Sequence, residues 1–175
     1  MISVSDFIHQ VSIYIFAVIA CYAGLTDMQS YRIPNFIPIS LFLLFPFYAL
    51  TSATPLDWPY PFIQAGCLLA LGFFLYSKGW IGAGDVKFLS AGSLWIPTSF
   101  FANFLLIIGA SGGIIAASLW IWCATRHWEK SYGHGPQNMM AWLNAARVWG
   151  KHQRIAYGSA ISIGCLAGAC QMLIR

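Results

Sequence analysis

From Phe7 to Thr26 the chain runs without a single aspartate, glutamate, lysine or arginine, and comparable runs recur at about 36–53, 61–77, 101–124 and 156–174. A sixth, at about 85–99, is shorter and contains Lys87. About 20 apolar residues cross a bilayer as a helix, and backbone groups in lipid must be paired within the element that carries them. Only 8% of the residues are charged, against roughly 25% in soluble domains, which must cover a solvated surface. Six crossings would use roughly 120 residues, leaving little for a soluble module tied to an anchor. The expected fold is therefore all-α: a polytopic membrane domain over 1–175 with about six transmembrane helices. The N-terminus has no basic region, and its apolar stretch outruns a signal-peptide core, so a permanent first helix is expected.

Where the charges fall orients the bundle. Arg32, Lys78, Arg126, Lys130, Arg147, Lys151 and Arg154 follow the first, third and fifth runs, and Lys87 lies at the same face, leaving Arg175 alone opposite. Positive residues collect on the cytoplasmic side, which predicts cytoplasmic loops there and both termini outside. In the cytoplasmic segment 125–155, Met139, Trp142, Leu143, Ala146 and Trp149 recur at helical spacing beside Arg147, Lys151 and Arg154, the pattern of an amphipathic helix lying in the lipid interface. The net charge of +4 is too dispersed for nucleic acid. The five cysteines form no C-x-x-C pair and read as small apolar residues within helices. His127, His134 and His152 lack metal spacing, so no metal or cofactor is expected. Gly109 to Gly113 and Gly164 to Gly168 read as close helix contacts, and Pro38 and Pro46 as bends in the second span.

With five acidic residues in all, each one at membrane depth calls for a function. Asp27 ends the first run in Asp27-Met28-Gln29-Ser30-Tyr31-Arg32-Ile33-Pro34-Asn35, and Asp85 opens the fourth in Gly82-Ala83-Gly84-Asp85-Val86-Lys87-Phe88. Two spans intervene, so both carboxylates return to the cytoplasmic boundary and meet if spans one and four pack together. Close carboxylates tend to share one proton, which suits hydrolysis of an amide by general acid and base. Gly82 and Gly84 allow an unusual backbone and room for an extended peptide. Competing roles are an N-cap for Asp85 and a solvated helix end or Arg32 partner for Asp27.

These two stretches resemble the aspartate motifs of type IV prepilin peptidases: Gly82 through Phe88 is similar to G-x-G-D-x-K-[FL], and Asp27 through Asn35 to an aspartate followed by a polar, basic stretch and I-P-N. The length resembles the short form found with tight-adherence pili. The resemblance implies an aspartic endopeptidase of the bacterial inner membrane that removes the short basic leader of prepilins or pseudopilins at the cytoplasmic face, in association with pilus or secretion machinery. It carries the catalytic roles onto Asp27 and Asp85, with Arg32, Pro34, Asn35, Gly82, Gly84 and Lys87 binding substrate or shaping the site. The C-x-x-C insertion linked to N-methylation in longer members is missing, so leader removal alone is expected. Ala156-Tyr157-Gly158 departs from the family's P-[YF]-G at its first position.

Asp27 lies at the negative end of its own helix and Asp85 at a positive one, which predicts Asp85 as the base and Asp27 as the acid. Alternatives from other classes are a small proton- or cation-coupled transporter component, a non-catalytic secretion subunit, and a presenilin-like intramembrane protease.

Overall fold

The apolar runs form helices, and no strand occurs among the described residues. The computed structural model describes residues 4–52, 59–130 and 157–174. Its helices are α1 (Val4–Ser30), α2 (Phe36–Thr51), α3 (Pro59–Ser77), α4 (Ala83–Ser93), α5 (Phe101–Lys130), entered through a 3-10 turn at Thr98–Phe100, and α6 (Tyr157–Ile174). Val4–Ser30, Pro59–Ser77, Thr98–Leu119 and Tyr157–Ile174 are long and apolar enough to cross a membrane. Their outer faces expose Val18, Phe73, Phe74 and Leu106, as do Phe42, Leu43 and Phe47 on α2. Apolar surface of this extent belongs in lipid, and the protein is an all-α polytopic membrane protein.

The chain divides into two units, Met1–Gly112 with Ala156–Arg175, and Gly113–Ile155. α5 begins in the first and continues past Ala124, where the apolar run was expected to end, to Lys130. Beyond it, the interfacial helix expected within 125–155 lies outside the described residues.

The first unit departs most from expectation at its fourth run. α4 has 11 residues, about 16 Å of helix, roughly half the thickness of a hydrocarbon core. Gly92 and Ser93 are weak helix formers and Pro97 disfavours helical backbone just before it. The chain leaves α4 in tight turns, with Trp95 N–H on the Gly92 carbonyl and Ile96 N–H on that of Ser93. Spans one and four do not form a principal pair either; α4 packs on α2, α3 and α6, while α1 packs on α2 and most extensively on α6.

Glycines set these approaches. A Cβ on Gly72 of α3 would stand 2.6 Å from Val86 Cγ1, one on Gly92 of α4 2.8 Å from Cys165 Sγ, and one on Gly24 of α1 2.9 Å from Ser162 Oγ. Gly164 and Gly168 make the close contact expected of them, receiving Ile108 and Ile96. A Cβ on Gly109 would meet nothing within 4 Å among the described residues. Of the cysteines, Cys165 is a core residue, whereas Cys21, Cys67 and Cys170 are exposed. Pro38 stands in the first turn of α2, where a missing N–H costs no helical bond, so only Pro46 interrupts the interior.

Trp95 anchors the exit of α4. Its Nε1–H donates to the Leu41 carbonyl at 3.1 Å, its ring stacks on Phe16 at 4.8 Å, and Tyr48 lies 5.1 Å away. One side chain thereby ties α4 to α1 and α2. Trp95→Ala should destabilise the bundle by about 3–5 kcal/mol, read as a lower denaturation midpoint in mixed micelles.

Candidate active site

Asp27 is 3% exposed, in the last turn of α1. Here the helix ends on Tyr31, whose φ of 51° is left-handed and whose N–H donates to the Asp27 carbonyl at 2.9 Å. This is the single-bond left-handed C-terminal cap, with a tyrosine where glycine is usual. It turns the chain into the Arg32–Asn35 stretch, whose Ile33 shares the neighbour Gly158 with Asp27. The side chain of Asp27 meets the start of another helix. Oδ2 accepts the Ser159 N–H at 3.0 Å. Ser159 belongs to the first turn of α6, whose amides have no partner within their own helix.

Asp85 is the third residue of α4, behind Gly82 as N-cap, and so stands in the first turn of that helix. α4 begins where it does because α3 ends in a Schellman motif: Gly79, at φ 74°, donates to the Tyr76 carbonyl at 2.8 Å, and Trp80 N–H to that of Leu75 at 3.1 Å. Such a motif closes a helix and redirects the chain, here within three residues of Gly82.

The two aspartates lie within electrostatic reach of each other, although their helices are not principal neighbours. α6 and Ile33 join them. Ile33, 8% exposed, is wedged between Gly84 and Gly158: a Cβ on Gly84 would come 3.3 Å from Ile33 Cβ, and one on Gly158 2.7 Å from Ile33 Cδ1 and 2.8 Å from Asp27 Cγ. Asn35 Oδ1 accepts from Lys87 Nζ at 3.2 Å, a direct bond between the two stretches.

The glycines act through space rather than through backbone freedom. Gly82 has φ −74° and ψ 145°, open to any residue, but a Cβ there would stand 3.0 Å from Asp85 Oδ2. Arg32 is exposed and Pro34 half-buried. Ile33, Gly158 and Ser159 had no place in the expected site. Ile33 could have been found as the one branched aliphatic side chain of 27–35, and Gly158 from the Tyr157-Gly158 pair; Ser159 bonds Asp27 through its backbone N–H.

Asp27 ends α1 but also meets the start of α6, through the Ser159 N–H, so the dipole at the end of its own helix is not the only one that acts on it. A cavity of about 90 Å³ lies against Asp85 and Tyr157.

Two acids from different helices, within electrostatic reach of each other in an apolar bundle, make a candidate two-carboxylate site in a membrane protein. The chain belongs to the type IV leader peptidase family, whose profile matches residues 14–117, and it is by that membership a peptidase. The matched stretch takes in both aspartates and ends before α6. No curated protein and no solved structure matches the chain.

Because Gly158 has no room for a Cβ, Gly158→Val should displace Asp27 and lower peptidase activity by about a hundredfold, the order expected of a displacement of about 1 Å at a reacting group. Gly66→Val, at a glycine with nothing within 4 Å, should leave the rate near wild type in the same assay.

Proposed function

We propose that this protein is a membrane-embedded aspartic endopeptidase that removes the short basic leader of type IV prepilins or pseudopilins at the cytoplasmic face of the bacterial inner membrane. The observation that carries this reading is that Asp27, bonded to the start of α6, and Asp85 of α4 lie within electrostatic reach of each other. Family membership supports peptide-bond hydrolysis. The distribution of Lys and Arg supports a cytoplasmic site with both termini outside.

In this mechanism the ionised member of the pair takes a proton from water as the oxygen attacks the scissile carbonyl, while the protonated member donates to the carbonyl oxygen. The tetrahedral intermediate collapses as the C–N bond breaks, and the leaving amine takes a proton from the pair. Since one proton is shared, the titration belongs to the dyad rather than to either residue. Lys87 of α4 and Asn35 at the start of α2, bonded to each other, hold the two helix starts together beside the acids. Processing takes place on prepilins still in the bilayer, in company with pilus or secretion machinery.

Asp27→Asn and Asp85→Asn should each abolish leader removal from a co-expressed prepilin, seen as loss of the faster-migrating product, while the protein still fractionates with membranes. Cleavage retained by either variant would return the chain to a transporter or assembly role.

A further inference from the structure

Ile33 is buried between an exposed Arg32 and a half-buried Pro34, and the two ends of its side chain meet different helices. At the near end, a Cβ on Gly84, the residue before Asp85, would come 3.3 Å from Ile33 Cβ and 3.4 Å from the Ile33 carbonyl oxygen. At the far end, a Cβ on Gly158 would stand 2.7 Å from Ile33 Cδ1 and 2.8 Å from Asp27 Cγ, so methyl and carboxylate are neighbours against the start of α6. The side chain therefore fills the interval between the start of α4 and the place where Asp27 is held. Direct packing of α1 on α4 does not fix that interval, because the two helices are not principal neighbours. In a close-packed interior a side chain between two walls is neither shortened nor lengthened without moving the walls or leaving a void.

We propose that Ile33 is a positioning residue that sets the separation of Asp27 and Asp85, and through it the way they share a proton. The proposal rests on the aspartic peptidase reading above. The pair works with one proton, and the interval between its two proton losses widens as the carboxylates approach and narrows as they part. Between charges about 5 Å apart at an effective dielectric constant of about 20, a displacement of about 1 Å moves that interval by about half a pH unit. A shorter side chain at position 33 lets the start of α4 settle toward Asp27, and a longer one holds it away. Tyr31, Arg32, Lys87 and Tyr157 are the other titratable groups on the segments that meet at Ile33, and the variants below leave them unaltered.

The test uses the full-length protein in mixed micelles with a prepilin substrate, and measures kcat, KM and the pH profile of kcat/KM for the wild type, Ile33→Val, Ile33→Leu and Ile33→Phe. The wild-type profile should be a bell whose two limbs belong to the pair of acids. Ile33→Val, which loses Cδ1, should lower kcat by about tenfold and widen the bell by about half a pH unit. Ile33→Phe should also lower kcat but narrow the bell, and KM should stay near wild type in both. Ile33→Leu keeps the native volume and reach, so the wild-type width should return. A bell of unchanged width in Ile33→Val, with kcat lowered, would overturn the proposal and leave Ile33 an ordinary core residue. So would a raised KM with kcat unchanged, the mark of a side chain that binds substrate directly. Ile33→Val and Ile33→Leu decide the matter even where Ile33→Phe does not fold. Either of these results leaves the peptidase standing, whereas absence of Asp-dependent cleavage by the wild type would overturn both readings.

Discussion

The contact on which the site depends is the one between the Asp27 carboxylate and the Ser159 amide in the first turn of α6. A carboxylate buried to 3% exposure is tolerated only if its oxygens are bonded, and a helix start has amides to give because none of them has a partner within its own helix. Each element answers the need of the other. The arrangement also determines the sequence around it, since a Cβ on residue 158 would occupy the space of Asp27 Cγ and Ile33 Cδ1. Through Ile33 the same contact reaches Gly84 and the start of α4. α6 is thus the element through which two helices with little direct contact are held in one site.

Around that contact the bundle balances rigidity against an opening. Trp95 secures the exit of α4 with a hydrogen bond and ring contacts, while the Schellman motif at Gly79 sets its approach. Both ends of a short helix are determined, and Asp85 inherits its position from them. On the side toward α3 and α5, packing stops short and leaves the cavity. In lipid, helices gain nothing from hiding apolar surface from one another and hold together by close packing and hydrogen bonds, as where Gly72 of α3 meets Val86 of α4.

Much of this was legible in the sequence because lipid makes charge so costly. Uncharged runs marked the helices, and the rarity of acids singled out Asp27 and Asp85. The expectation failed where local chemistry overrode the pattern. The fourth run is apolar enough to suggest a span, yet Gly92, Ser93 and Pro97 end its helix after 11 residues. Gly109 stands in the same kind of glycine spacing as Gly164 but meets nothing within 4 Å among the described residues. Spacing records which residues share a face, not what stands opposite.

The sequence by itself determined the all-α membrane class and the two acidic stretches, because solvation cost and helical period are properties of the chain read one residue at a time. Only the tertiary structure decided how the acids meet. It placed α6, more than 130 residues beyond Asp27, against that carboxylate, and it gave Asp27 a helix start to offset the negative end of its own helix. Backbone amides carry no signature in an amino-acid sequence, so a partner such as Ser159 N–H becomes visible only when the helices are packed.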